Sequence, residues 1–328
     1  MIRAKSSASP GQIIGLDLGG TKCAVGVWRD GEVVEVARMP TGDFPATFSV
    51  LCETIAALLA GGPALVGVSC GGPLDVGTGT LISPPNLDPS WHGIPLVARL
   101  HRELGVQAAL MNDANACALA EWHFGAGRGT RHMVFLTCGT GLGAGLILNG
   151  ELYEGATGDA GEIGHVRLRP DGPWGYGKRG SVEGWCSGGG MARLAEERLA
   201  SFPEARSRWR AGSITAKQLA EEARAGDVFA QAILELAGQA LGETLAMLVD
   251  LFNPQRIVLG GLYPLCRDLL DAPVHAALRR EALSGPAAAC QVLPAALGAS
   301  IGCHGAVAVA LRATGRLQSE PSGVPLRL

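Results

Sequence analysis

The chain has 328 residues, 47% of them hydrophobic and 5% aromatic, with 48 glycines, nine cysteines and a formal charge of −3. That length accommodates two domains, and the composition suits an α/β protein with many tight turns, excluding a disulfide scaffold or a disordered chain. The charge gives no electrostatic ground for binding nucleic acid, and nine scattered cysteines without a Cys-x-x-Cys pair read as reduced thiols of a cytoplasmic protein.

The polar start, residues 1–11, lacks the apolar stretch of a secretory signal. Residues 13–39 then predict an antiparallel meander of three strands, Ile13–Leu16, Cys23–Val27 and Glu32–Arg38. Leu51, Ile55, Leu58 and Leu59 repeat at helical spacing over 46–60, and Ala64–Ser69 is a short buried strand. A helix over Pro95–Leu104 and a strand over Ala108–Met111 lead to Asn112-Asp113, where a further helix starts and runs through Ala116, Leu119 and Trp122. Alternation of this kind indicates a sheet with parallel strands. The pattern restarts with strands His132–Thr137 and Gly143–Leu148 around a glycine-rich turn, a weak internal duplication. Residues 188–250 read as mostly helical, with alanine-rich segments at 214–224 and 228–250. Arg256–Leu259 is a buried strand ended by Gly260-Gly261, and Gly305–Leu311 is a helix before a frayed polar tail from Thr314. Two uncharged stretches, Thr54–Leu74 and Val134–Gly150, are interrupted by glycine or proline and read as helix–turn–strand and strand–turn–strand, with no membrane span. Gly-Ala-Gly-Arg-Gly at 125–129 marks the domain junction: a small N-terminal domain over 1–125, a larger one over 126–304, and a last helix, about 305–328, crossing back to the first.

The first turn, Asp17-Leu18-Gly19-Gly20-Thr21-Lys22, has the parts of a phosphate-handling hairpin. Its glycines let backbone amides approach an anion, Thr21 can donate, Lys22 offers charge, and Asp17 can hold a hydrated magnesium ion. An ordinary hairpin turn is the plain alternative. The second turn, Cys138–Gly145, loosely fits the dinucleotide fingerprint, but a strand-like segment follows where that fingerprint needs a helix, so it reads as a second phosphate hairpin with Thr140 as donor. There is no Walker A sequence. Asp113, at a strand-to-helix junction, suits two compatible roles: helix cap, or general base toward a substrate hydroxyl, with the helix N-terminus expected to lower its pKa. Glu162 and His165 share a face if their segment is helical and suit a pair of sugar hydroxyls, a structural histidine being the alternative. Asn86, in a proline-rich loop near Gly71-Gly72-Pro73, either caps a turn or reaches a ligand hydroxyl.

In this order these motifs, with Asn253-Pro254 and Ile257–Gly261, resemble the ROK family of bacterial sugar kinases and repressors from about residue 12 to 312. The resemblance implies an α/β, two-domain actin/hexokinase-like (ribonuclease H-like) fold with a cleft between domains that takes ATP and a sugar. It makes Asp113 the catalytic base and Gly72, Asn86, Asn112, Glu162, His165 and Glu183 sugar contacts. Gly19, Gly20, Thr21, Lys22, Gly139, Thr140, Gly141, Gly260 and Gly261 would line ATP, and Asp17 would position Mg2+ through water. A homodimer is implied as well.

One departure stands out. The family's structural zinc takes His165's counterpart and three cysteines of a Cys-x-Cys-Gly-x-x-Gly-Cys-x-Glu run, and here those cysteine positions are Trp174, Tyr176 and Ser181. None is a credible zinc ligand, so no zinc is expected, and packing of Trp174 and Tyr176 is expected to hold the loop. With about a dozen residues ahead of the first strand, the kinase branch is expected over the DNA-binding repressors. The expected reaction is ATP-dependent phosphorylation of a hexose 6-hydroxyl, glucose first. Kinases of N-acetylmannosamine, N-acetylglucosamine or another aminosugar are the alternative, and a non-catalytic sugar sensor the second.

Overall fold

A computed structural model describes residues 11–59 and 62–317. They divide into two compact units, 11–124 with 297–317, and 125–296. In the first, β1 (Gln12–Leu18), β2 (Lys22–Arg29) and β3 (Glu32–Pro40) form the antiparallel meander. Asp43 caps α1 (Phe44–Leu58) by accepting from the Ala46 amide at 2.9 Å, with Pro45 in the first turn. Next, β4 (Ala64–Cys70) runs parallel to β1, and a small hairpin of β5 (Leu74–Asp75) and β6 (Thr80–Leu81) follows. Gly105, in the left-handed region, ends α2 (Leu96–Leu104). Strand β7 (Gln107–Asn112) passes straight into α3 (Asp113–Phe124). The sheet order is β3-β2-β1-β4-β7, with β1, β4 and β7 parallel. Its core holds Ile14, Leu16, Leu51, Ile55, Val66, Val68, Trp91 and Leu100, all fully buried. Each such aliphatic side chain contributes roughly 1.5–3 kcal/mol of burial free energy.

The second unit begins with β8 (Met133–Cys138), β9 (Leu142–Leu148) and β10 (Glu151–Tyr153), a second antiparallel meander. A two-stranded hairpin, β11 (Trp174–Gly175) and β12 (Lys178–Arg179), precedes four helices: α4 (Val182–Cys186), α5 (Gly188–Arg198), α6 (Ala216–Arg224) and α7 (Val228–Phe252). Asn253, left-handed and followed by Pro254, stops α7. Of the helices among the described residues, α7 is the one long and apolar enough to cross a membrane, yet 67% of its most apolar window is buried. The remaining elements are β13 (Arg256–Gly261), α8 (Arg267–Glu281), α9 (Ser284–Ala289) and β14 (Gln291–Pro294). This sheet, β10-β9-β8-β13-β14, has β8, β13 and β14 parallel. Both units therefore share one plan: three antiparallel strands, then two parallel ones.

The last helix, α10 (Ile301–Ala313), belongs to the first unit and lies against β1 and β4, where Val307, Ala310 and Leu311 cluster with Ile13. Helix and sheet backbones approach so closely that a Cβ on Gly67 would sit 2.0 Å from the Ala306 carbonyl. The helix differs from the expected 305–328. It starts at Ile301, led in by a 3-10 turn over Gly298–Ser300, and the chain has already rejoined the first unit at Leu297, whose amide donates to Glu121 Oε1 at 2.9 Å. The helix stops at Ala313, and most of the expected frayed tail, 318–328, lies outside the described residues.

Candidate active site

In the first unit the site gathers at the carboxyl ends of the parallel strands β1, β4 and β7, the edge where open α/β sheets place ligands. Pairing sets Asp17 beside Ser69 and Cys70 beside Asn112. The turn after β1 is closed by its own backbone: the Gly19 amide donates to the Lys22 carbonyl at 3.2 Å, and Thr41 donates from its hydroxyl to the Gly19 carbonyl at 2.7 Å. Gly19 is thereby committed to shaping the turn. The Gly20 and Thr21 amides and the Thr21 hydroxyl have no partner among the described residues, and Thr21 and Lys22 are exposed. Gly20 backs onto the Asn86 loop, where a Cβ would lie 2.4 Å from the Asn86 carbonyl.

Burial pushes the Asp17 carboxyl up to about 6, with the charge of Asp113 as the next cause. Beside it, the buried Ser69 hydroxyl makes no hydrogen bond of good geometry, yet lies near enough to the Asp17 carboxyl to pull its pKa partly back down. Sequence reading missed Ser69, since the end of an apolar strand carries no signal for a polar group aimed at a site.

Asn112 performs the capping: its Oδ1 accepts from the Ala114 amide at 2.9 Å and the Asn115 amide at 3.4 Å. Asp113 is the first residue of α3 and accepts from the Ala114 amide at 2.9 Å through one carboxylate oxygen. Its pKa is raised, contrary to the expected lowering by the helix N-terminus. Burial outweighs the amide hydrogen bonds that pull the other way. The carboxylate is nevertheless open to solvent: surrounding protein crowds it without covering it. Beside Gly71 a gap is left by the missing side chain. The point where a Cβ would stand is 3.3 Å from Asn86 Nδ2 and 3.7 Å from Asp113 Oδ2, and the equivalent point at Gly72 is 3.7 Å from Asn112 Nδ2. Gly71, Gly72, Asn86, Asn112 and Asp113 therefore surround one small space, and the Gly72–Pro73 peptide is cis.

The second unit builds a corresponding edge. Gly260 and Gly261 pair with Thr137 and Cys138, which puts the end of β13 next to the turn Gly139-Thr140-Gly141. The carbonyls of Gly139 and Thr140 accept from the Gly188 and Gly189 amides at 2.8 and 3.2 Å, pinning this turn to the start of α5. The Thr140 hydroxyl and the Thr140 and Gly141 amides have no partner among the described residues. Glu162 and His165 flank a 3-10 turn instead of lying on an α-helix. Because i and i+3 eclipse in that geometry, the pair is brought together, with His165 Nε2 3.6 Å from Glu162 Oε2. Their side chains are 54% and 37% exposed, Glu162 the more, so both can be reached by a ligand. Glu183, just inside α4, accepts from the Leu142 amide at 3.1 Å, while Gly164 sits so close to the Leu142 carbonyl that a Cβ would be 2.1 Å away. One residue at the start of β9 thus anchors both the Glu183 carboxylate and the Glu162–His165 turn.

The loop after His165 departs from the expected packing. Trp174 is half exposed, because Gly175 on the opposite face of β11 presses against α4 and strand alternation turns Trp174 outward. The buried tryptophan is Trp185, stacked under the Arg169 guanidinium at 4.8 Å. Tyr176 does meet His165, edge-on, with ring centroids 4.7 Å apart.

Comparison with known proteins gives this arrangement a family. Residues 13–313 match the ROK family. A glucokinase of Thermotoga maritima is 35% identical over 273 residues, covering 80% of this chain and 86% of that protein. An N-acetylmannosamine kinase of Citrobacter koseri is 31% identical over 266 residues, covering 80% and 87%. Among solved structures, a ROK glucokinase from Streptomyces griseus in complex with glucose and AMPPNP is 32% identical and superposes with a TM-score of 0.75, covering 92% of this chain and 100% of that one. The match spans both sheets and every motif that builds the two edges, and with the two-domain actin-like fold of the sugar kinases it makes this chain a member of the ROK family.

Proposed function

We propose that the protein transfers the γ-phosphoryl group of ATP to the 6-hydroxyl of a hexose, with glucose as the first substrate. The observation that carries this reading is the solvent-open Asp113 carboxylate, its pKa raised, facing the same small space as Asn86 and the glycines of the β4 loop. Asp113 takes the proton of the incoming hydroxyl as that oxygen attacks the γ-phosphorus, and ADP leaves. A base with a raised pKa is a stronger acceptor for that proton than an ordinary carboxylate. In the first unit Asn86 and Asn112, with Gly72, would orient sugar hydroxyls; for Glu162, His165 and Glu183 of the second unit, the resemblance to the family supports a role as sugar contacts. Gly20 and Thr21 in the first unit, and Thr140 and Gly141 in the second, offer uncommitted amides and threonine hydroxyls to phosphate oxygens, and the resemblance to the family supports Gly260-Gly261 as nucleotide-lining. Asp17, a largely buried carboxylate next to the Ser69 hydroxyl at the end of β1, fits a hydrated Mg2+, which when bound would neutralise phosphate charge. Nine free thiols, six of them buried, support a reducing, cytoplasmic setting, and family resemblance supports a homodimer.

The 31% likeness to an N-acetylmannosamine kinase favours a second reading, an N-acetylhexosamine or aminosugar kinase using the same residues. A coupled ADP-release assay with Mg·ATP across hexoses, N-acetylhexosamines and aminosugars decides. Turnover on glucose is expected. Turnover confined to an aminosugar selects the second reading, and silence with sugar binding still detected by thermal shift leaves a sensor.

A further inference from the structure

The hairpin of β11 and β12 stands where the family resemblance places a zinc site, and its donor set does not suit zinc. Trp174 points to solvent, Tyr176 offers a phenol, and Ser181 is buried with its hydroxyl capping α4 at the Gly184 amide, 3.2 Å away. Among the described residues no group of three or more His, Cys, Asp or Glu side chains could hold a metal ion. Hydrogen bonds organise the loop instead: Trp174 pairs with Arg179 and Gly175 with Lys178, the Val182 amide donates to the Val166 carbonyl at 2.9 Å, and the Leu168 amide to the Gly180 carbonyl at 2.8 Å.

The two-residue turn of this hairpin is Tyr176-Gly177, at φ +41° and +80°. A turn with both central residues left-handed fits the strand twist and favours Asn-Gly or Gly-Gly. Tyrosine is an unfavourable occupant of the first position, so a physical gain elsewhere is needed to account for it. Its ring supplies one, standing perpendicular to the His165 imidazole, while the neighbouring Lys178 Nζ donates to the His165 carbonyl at 2.5 Å. His165 is thus held through its ring by Tyr176 and through its backbone by Lys178, with Glu162 on its Nε2 side.

We propose that Tyr176 is a positioning residue for the sugar site, holding the His165 imidazole in the orientation that a metal ion would otherwise impose. The proposal rests on the reading of Glu162 and His165 as sugar contacts. It is tested on the full chain with Tyr176→Phe, Tyr176→Gly, Tyr176→Asn and His165→Ala, measuring kcat and KM for glucose and for ATP, glucose binding by calorimetry, and melting temperature. Glycine and asparagine suit the left-handed backbone, so these variants keep or raise the melting temperature. They are expected to raise the glucose KM and Kd about tenfold while leaving the ATP KM within about twofold, and phenylalanine, which keeps the ring, stays near wild type. Wild-type protein treated with EDTA, then freed of it and assayed with Mg·ATP, keeps its kcat, KM and glucose Kd.

A glucose KM and Kd unaltered in Tyr176→Gly and Tyr176→Asn overturn the proposal, as does a loss in which melting temperature and both KM values deteriorate together. Loss of glucose affinity on chelation, restored by zinc, assigns the task to a metal and overturns it too. His165→Ala separates the two layers. If it binds glucose normally, the sugar-contact reading fails and the proposal with it; if it loses glucose while the Tyr176 variants do not, the Tyr176 proposal alone fails.

Discussion

Asp113 and Asp17 sit on one sheet edge, and each raises a different question of protonation. Asp113→Asn keeps the shape of the α3 start and removes the proton acceptor. Its kcat is expected to fall about 10²–10⁴-fold while glucose binding by calorimetry stays within a few-fold, and near-normal turnover would dismiss Asp113 as base. Asp17, with its carboxyl pushed up to about 6 from 3.8, is the group whose protonation is set to show in a pH profile. Its ionised form is the one that can meet a cation, so kcat/KM for ATP is expected to fall as pH drops through about 6. A profile flat down to pH 5 would contradict this.

The stability consequence has the opposite sense. Because the folded-state pKa lies above the unfolded value, the folded chain binds the proton more tightly. Ionisation of Asp17 therefore costs stability above pH 6, and the cost fades as pH falls from 6 toward 3.8. Asp17→Asn is expected to stabilise the protein at pH 7 by up to about 3 kcal/mol, read from denaturant unfolding, while abolishing turnover. At this scale the residue types and their motif spacing were legible in the chain, down to Asp113. The direction of the Asp113 pKa was not, because burial is a sum over neighbours distant in sequence, and the helix N-terminus was the sole local cause in view.

Among the elements, α3 and α10 carry the most consequence. The cap of α3 is Asn112, which leaves the Asp113 side chain available. Asn112→Ala is expected to cost about 1 kcal/mol of stability and to lower kcat as well, since the same two residues set the entry of the helix and the aim of the base. A variant destabilised to that degree but fully active would uncouple the two roles. The β1–β4 surface admits α10 only because small residues face it. Gly67→Val would drive a side chain into the Ala306 carbonyl, and a loss of roughly 3 kcal/mol or more is expected in equilibrium unfolding. Elements with strong periodicity, such as α1, α2, α7 and the central strands, were readable within about two residues. Helix α8, with Pro273 inside it, and strand β14, only partly buried, were not readable. Proline argues locally against a helix, and here tertiary packing of Pro273 on Gly238 overrides that preference. The two-residue strands of β5–β6 and β11–β12 are too short for any period to register.

For the molecule as a whole, the repeated sheet plan explains why each unit ends its first parallel strand, β1 or β8, in a glycine-rich turn and presents it at the same edge. The chain's return through α10, which starts at Ile301, makes the first unit dependent on residues far along the chain from α3, which ends at Phe124. A chain ending at residue 296 is expected to lose the folded state of that unit. Amide exchange should show β1 and β4 unprotected, and native-like protection there would refute the dependence.

What the amino-acid sequence by itself determined is the class of fold, the order of the motifs and the residue types that carry the chemistry. These follow from periodicity, turn chemistry and short-range spacing, which act along the chain. Tertiary structure alone decided that Ser69 faces Asp17, that Leu142 anchors both Glu183 and the Glu162–His165 turn, that Tyr176 stands against His165, and that Asp113 is crowded yet open. Each of these depends on groups brought together across the sheet or across a loop, and proximity of that kind has no counterpart in local sequence.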